Sequence, residues 1–340
     1  MRIGFNPHKD KPLEEEVFIH QVIIPVFIPN HEGYFKDSFQ IFKLCIESVF
    51  KTVHNRTFIT IVNNGSDNFV KEYLDQLYQQ NKIHELIHTQ NIGKLNAILK
   101  GISGNDFSLI TIVDADVLFL DNWQEATYKI FETFPKTGAV CPTPSSRSLR
   151  TYTANVYWDF FFSSKIKFSE VVNPEALKQF AISLSDSNFY NKVQLQKYLT
   201  IERNTIKAVI GAGHFVTTYR AEVFCDLNDR YTNYKLGGDS ESKLLDFPVV
   251  DKGYWRLSTD NNYAYHMGNV MEEWMNDELN KLEINEKEIT FKLKEVKANS
   301  PVLSFVKNKI FGKFILNKKI MKIFIIWKGL TKREAENYLT

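Results

Sequence analysis

The chain has 340 residues, 44% of them hydrophobic, enough for a large core and, on length alone, for two or three domains. Its 42 Lys and Arg against 40 Asp and Glu leave a net charge of +2, so the molecule as a whole lacks the basic footprint of a nucleic-acid binder. The three cysteines, Cys45, Cys141 and Cys225, are odd in number and far apart, and the eight histidines are scattered; both facts argue against a disulfide framework and against a zinc site of close His/Cys spacing.

Residues 17–27 form a β-branched-rich apolar run with Pro25 and Pro29 at its end, which predicts a buried first strand that stops in a loop. Phe39, Phe42, Ile46, Val49, Phe50 and Val53 then recur at spacings of three and four, the pattern of a helix with one apolar face. Residues 58–62 read as a second strand, closed by the turn composition of Asn63-Asn64-Gly65-Ser66. A helix marked by Val70, Tyr73, Leu74, Leu77 and Tyr78 follows, then a strand at 83–88, a helix at 95–102 and a strand at 109–113. Trp123, Thr127, Ile130, Phe131 and Phe134 mark a fourth helix. Strands alternating with helices of this length predict an α/β fold with a mostly parallel central sheet and right-handed crossovers. In such sheets ligands bind beyond the carboxyl ends of the strands, where Asn64 and Asp114-Ala115-Asp116 both fall.

Asp114 and Asp116 stand two apart after an apolar strand, so an extended backbone aims both carboxylates the same way. Like charges at that spacing repel unless a cation lies between them, and Mg²⁺ or Mn²⁺ favours carboxylate oxygens together with substrate phosphate. The predicted chemistry is a metal–diphosphate site.

The ordered motifs around this pair resemble the family 2 glycosyltransferases, whose single nucleotide-sugar-binding α/β domain is the GT-A fold. Ile23-Ile24-Pro25-Val26 opens the first strand, and Val62-Asn63-Asn64-Gly65-Ser66 stands where the family has Val-Asp-Asp-Gly-Ser. Asn91-x-Gly93 with Ala97 and Gly101 matches a helix-start pattern, Asp114-Ala115-Asp116 the Asp-x-Asp, and Gly237-Gly238-Asp239-Ser240-Glu241 an acidic motif before Gly253-Tyr254. Tyr265-His266 resembles the closing His. The resemblance covers roughly residues 18–268 and implies a GT-A catalytic domain over 1–270 with a helical, basic extension over 271–340. Two positions depart from the pattern. Asn64 replaces the Asp that usually meets the uracil of the donor, and an amide can donate as well as accept. The stretch 243–252 reads as an insertion, which leaves the base open between Asp239 and Glu241.

The resemblance implies an inverting transfer from a nucleotide-diphosphate sugar, with a UDP-sugar the first expectation, to a hydroxyl of a glycan or lipid-linked acceptor in cell-surface polysaccharide synthesis. Pro25, Asn64, Gly93, Lys94, Asp114, Ala115 and Asp116 would bind the nucleotide sugar. Asp116 would hold Mn²⁺ or Mg²⁺ together with His266, and Asp114 would support the metal or contact the ribose. Asp239, on its glycine turn, is the preferred base, and Glu241 would orient the acceptor. Lys94, at a helix start, would add charge near the phosphates. A sugar nucleotidyltransferase is a rival reading, but 25–33 lacks the Gly-rich basic loop it needs. A non-catalytic sugar-binding relative has no need of Asp114, Asp116, Asp239 and His266 together.

From 296 to 333 there are ten Lys or Arg and no acid. Within this stretch Leu316, Ile320, Ile323, Phe324 and Trp327 fall on one helical face opposite Lys318, Lys319 and Lys322, the pattern of a helix lying in a membrane interface. Before it, 272–297 reads as an exposed Glu/Lys-rich helix leading away from the core. Residues 1–16 hold no apolar signal region and no run reaches the ~18 apolar residues of a bilayer span, so the expected location is cytoplasmic, peripheral at the inner face of the membrane. Residues 145–205 give no clear pattern beyond an aromatic cluster suited equally to a sugar or lipid acceptor and to core packing.

Overall fold

The computed structural model describes residues 4–12, 18–227, 230–296 and 299–339; Val17 and Lys297, at the edges of two expected segments, lie outside them. The first half follows the apolar periodicities closely. Strands β1 (His20–Val26), β2 (Thr57–Asn64), β3 (Glu85–Thr89) and β4 (Leu109–Val113) alternate with helices α1 (Ser38–Thr52), α2 (Asn68–Gln79) and α3 (Lys94–Ile102), and α4 (Trp123–Thr133) follows a short β5 (Val117–Phe119). β1 is buried along its whole length, as an apolar strand covered on both faces must be. Asp67 caps α2 by accepting from the Val70 N–H, which ends the turn after β2 and fixes where the helix begins.

The second half completes the sheet with β6 (Thr137–Cys141), β7 (Ile166–Glu170), β8 (Lys197–Arg203), β9 (Ile206–Ile210), β10 (Val216–Arg220) and β11 (Trp255–Thr259). The ten strands lie in the order β3-β2-β1-β4-β10-β6-β11-β9-β8-β7. The β3-β2-β1-β4 half is parallel; β10 enters antiparallel between β4 and β6, and β9, β8 and β7 pair antiparallel beyond β11. A separate ribbon joins β5 to β12 (Ala264–His266). Helices α5 (Ala154–Phe160), α6 (Pro174–Ser183) and α7 (Phe247–Asp251) arise from the part of the sequence that gave no clear pattern and its continuation.

The C-terminal region departs from expectation in two ways. The Glu/Lys-rich segment is helical only over α8 (Glu273–Lys281) and then returns along the domain without regular structure. Its apolar residues account for the return: Phe291 is buried and stacks on Tyr128 with ring centroids 4.4 Å apart, and Leu282 is also buried. Beyond it lie α9 (Pro301–Phe305), α10 (Gly312–Ile315), α11 (Lys318–Trp327) and α12 (Lys332–Tyr338). α11 does not present its whole apolar stripe outward. Met321, Phe324 and Ile325 are buried with Tyr157 and Ile315 in one cluster, while Ile323 and Trp327 stay exposed. Helical geometry gives α11 two apolar faces, and only one is buried against the domain.

Candidate active site

The site forms where the parallel half of the sheet meets the antiparallel β10. Asp114-Ala115-Asp116 is the turn between β4 and β5, and its backbone is pinned from both sides. Asp114 N–H donates to the Phe215 carbonyl at 2.8 Å, and Met267 N–H donates to the Asp116 carbonyl at 2.8 Å. The β5–β12 register sets His266 opposite Val117, beside this turn. A cavity of about 470 Å³ opens here, bordered by Pro25, Asn64, Lys94, Asp114, Ala115 and Asp116. These are six of the seven residues named as nucleotide-sugar ligands from sequence. Asn91, noted in sequence only as part of a helix-start pattern, also borders it, as do Tyr34, Phe35, Lys235 and Leu236, which sequence reasoning missed. These last four belong to no periodic pattern, and only the folded chain brings them near the Asp-x-Asp.

Gly93, the seventh, caps α3 rather than lining the cavity. Its φ of +90° is a glycine conformation, and an added Cβ would stand 2.8 Å from the Tyr234 carbonyl oxygen. That close approach lets the Lys235 carbonyl take the Lys94 N–H at 2.9 Å, so the first amide of α3 is covered by the chain instead of being left for a phosphate. The Lys94 side chain turns to carboxylates. Its Nζ is 2.7 Å from Asp114 Oδ1 and 3.1 Å from Glu241 Oε1. Burial works against the charge of Lys94, but Asp114 and Glu241 outweigh it and hold the ammonium above its usual range.

Asp116 and His266 make the second pair, with Oδ2 and Nε2 3.4 Å apart. The other ring nitrogen of His266 lies 2.8 Å from Ser183 Oγ at the end of α6, which fixes the ring with Nε2 toward Asp116. Burial pushes the Asp116 carboxyl up, with Asp114 adding to the rise and His266 and Lys94 opposing it. These residues suit a hard divalent cation in a limited way. Among the described residues no group of three His, Cys, Asp or Glu is disposed to hold a metal. Asp116 and His266 supply two donors, and Asp114, expected to assist, is engaged by Lys94. Two protein ligands, with phosphate oxygens and water completing the shell, is a common arrangement for Mg²⁺.

The two candidate bases are placed differently. Glu241 reaches the centre through Lys94. Asp239 has φ +58°, is exposed, and precedes the helical turn that opens at Ser240; like Glu241 it does not border the cavity, and unlike Glu241 it has no ion pair with Lys94, which counts against its place as the preferred base. The glycines that make the turn tight also carry Asp239 outward. A π-helical stretch, Ser242–Asp246, runs straight into α7 and brings Asp246 to a buried ion pair with Arg256, 2.5 Å. His214 Nε2 approaches the same carboxylate at 3.2 Å. The stretch read as an insertion is thus part of one continuous helical segment, anchored by a charge pair that sequence could not pair.

The model described as Glycosyl transferase family 2 matches residues 26–184, which include Asn64, Lys94, Asp114 and Asp116 but not Glu241 or His266. The poly-beta-1,6-N-acetyl-D-glucosamine synthases of Staphylococcus aureus strains COL and MSSA476 are each 29% identical over 106 residues, 30% of this chain and 25% of theirs. The match thus spans about a quarter of the length of these curated relatives. Among solved structures, S. aureus TarS 1–349 in complex with UDP-GlcNAc has a TM-score of 0.42 at 12% identity, covering 95% of this chain and 70% of that one. GalNAc-T7 with UDP, GalNAc and Mn²⁺ has a TM-score of 0.47 at 11% identity, covering 76% and 45%. Over residues 26–184, somewhat under half of its length, the chain is similar to glycosyl transferase family 2.

Proposed function

We propose that the protein is an inverting glycosyltransferase that moves a sugar from a nucleoside-diphosphate donor to an acceptor hydroxyl, in the assembly of a cell-surface polysaccharide. The observation that carries this reading is the convergence of Asp114, Asp116 and Lys94 on one cavity at the carboxyl ends of β1, β2 and β4, with Glu241 held against Lys94 and His266 against Asp116. The family match and the identity to polysaccharide synthases support it. The cavity holds the nucleotide, with the diphosphate near Asp116 and the Lys94 ammonium. Asp116 and His266 would hold Mn²⁺ or Mg²⁺ there. When bound, such a cation supplies countercharge to the departing diphosphate. Lys94 keeps a fixed positive charge at the same place, and Asp114 and Glu241 hold it in position. Glu241 accepts the proton of the acceptor hydroxyl, a role the geometry favours over Asp239 because Glu241 alone of the two touches the centre.

The acceptor is a glycan or lipid-linked sugar met at the inner face of the membrane, where the basic C-terminal helices would hold the enzyme peripherally. No helix among the described residues is long and apolar enough to cross a membrane. The exposed Phe162, Phe314, Ile323 and Trp327 among the lysines of this region support a surface contact.

The test is incubation of purified protein with a panel of nucleotide sugars, following nucleotide release with and without chelator. Nucleoside diphosphate binding is expected to need divalent metal and to be lost in Asp116→Ala. Equal affinity by titration calorimetry with and without chelator would reject the metal assignment, and no release from any donor would reject the transferase.

A further inference from the structure

The edge of Asn64 left facing the donor cavity is a donor of hydrogen bonds, and this bears on which base the site accepts. Asn64 closes β2, is 4% exposed and borders the cavity with Pro25, Lys94 and Asp116. Its Oδ1 receives the Ile92 backbone N–H at 2.9 Å and lies 3.4 Å from Thr89 Oγ1, which donates to it. A peptide N–H can only donate, so the atom facing Ile92 must be the oxygen and the amide cannot be turned the other way. The Nδ2 group remains, with two hydrogens and no acceptor for them in any bond of the described residues. Nδ2 is not among the buried unpartnered atoms of the described residues, so it faces the open cavity and is free to donate to a ligand there.

An aspartate at this position would keep one oxygen on the Ile92 N–H and offer the other as an acceptor to a protonated ring nitrogen. Asparagine reverses the second half of that arrangement. Facing the N3–H of uracil or the N1–H of guanine, Nδ2–H would oppose a donor with a donor. Facing the bare N3 of cytosine or N1 of adenine, it makes a hydrogen bond. Phe27, Tyr34 and Phe35 border the same cavity and offer aromatic faces to either kind of ring.

We propose that the donor site selects a base whose ring nitrogen at the Asn64 edge is unprotonated, so that the sugar arrives on a cytidine or adenosine diphosphate rather than on a uridine or guanosine diphosphate. This rests on the nucleotide-sugar reading of the cavity and changes its first expectation, UDP. The site disfavours the protonated ring because Nδ2–H and the ring N–H would meet as two donors, a mismatch typically worth about ten-fold or more in affinity.

The experiment is titration of the full chain, with Mn²⁺ present, by CDP, UDP, ADP and GDP. CDP is expected to bind at least ten-fold more tightly than UDP, or ADP than GDP, and which pair binds identifies the base. Asn64→Asp should reverse the preference within that pair, and Asn64→Ala should erase it without reversing it. If the intact protein binds UDP as tightly as CDP and GDP as tightly as ADP, or if Asn64→Asp folds and leaves the preference as it was, the inference is overturned while the transferase reading stands. Should Asn64→Asp not fold, Asn64→Ala decides, since a preference it retains cannot come from this amide. If none of the four binds, the nucleotide-sugar reading fails first and this one with it.

Discussion

Lys94 is the residue on which the centre turns, because one ammonium serves two carboxylates that would otherwise repel each other. Its partners separate the two acidic candidates. Glu241→Gln keeps the shape but removes the proton acceptor, and we expect a fall in transfer rate of at least about 10²-fold with donor binding nearly intact. Asp239→Asn, at an exposed turn away from the cavity, should change the rate only slightly. Steady-state kinetics with the ranking reversed would return the base to Asp239. The sequence favoured Asp239, which directly follows Gly237-Gly238, and left Glu241 to orient the acceptor. What separates them is φ at Asp239 and the reach of a side chain one methylene longer from the first turn.

At the scale of elements, α11 shows why an amphipathic pattern leaves its partner undetermined. Apolar spacing reports which faces avoid water, not whether protein or lipid covers them. Phe324, assigned to the lipid side from spacing, instead stacks on Phe161 with centroids 5.6 Å apart and lies 5.1 Å from Tyr157. The unburied remainder joins a neighbour from another part of the chain: Phe162, 88% exposed, stands 6.3 Å from Trp327, and Ile323 is 65% exposed. Lys313, Lys318 and Lys319 are exposed around them without an ion pair among the described residues. Full-length protein is therefore expected to sediment with anionic vesicles at low salt and to release as salt screens the lysines. The double variant Phe162→Ser, Ile323→Ser should fold normally, because both side chains are exposed, yet bind vesicles several-fold more weakly. Unaltered sedimentation of that variant, or none by the intact chain, would remove the membrane contact. Deleting the helices would be a poorer test, since it would strip Met321, Phe324 and Ile325 from the core.

Across the whole molecule, the end of the sheet opposite the site is held by a buried polar network. His20 Nδ1 lies 2.6 Å from Tyr128 Oη and its Nε2 2.6 Å from Thr111 Oγ1, while His54 Nε2 meets the same Tyr128 at 2.8 Å; Gln124 donates to Thr57 alongside. Burial lowers His20 well below its ordinary value and lowers His54 to about 4, with the His54 and Arg56 charges adding to the two shifts respectively. Because these folded-state values are depressed, the unfolded chain takes up protons below about pH 6.5 that the folded chain refuses. Stability from His54 is therefore complete well above pH 6.5 and is lost as pH falls toward 4, by on the order of 2 kcal/mol at pH 5, and His20 adds a loss in the same direction. Urea midpoints measured from pH 7.5 to 5 should fall accordingly, and less steeply in His54→Gln; a flat profile would mean that the network opens to water.

Much of this was legible in the sequence by itself. Local apolar spacing determined the first four strands and four helices, because each buries a face whose period is set by its own backbone geometry, and β4 was read to the residue. The Asp-x-Asp, Asn64 and Lys94 were visible because they sit at strand and helix ends that the same periodicity locates. Only the tertiary structure decided the rest: the antiparallel entry of β10, the His266–Asp116 approach from β12, the choice of Glu241 by Lys94, and the covering of one face of α11. These depend on contacts between residues tens to hundreds of positions apart, and no local period carries that information. The orientation of the Asn64 amide is the smallest instance. The sequence supplied a group able to donate or accept, and a peptide N–H from Ile92, 28 residues on, decided which end was left for the ligand.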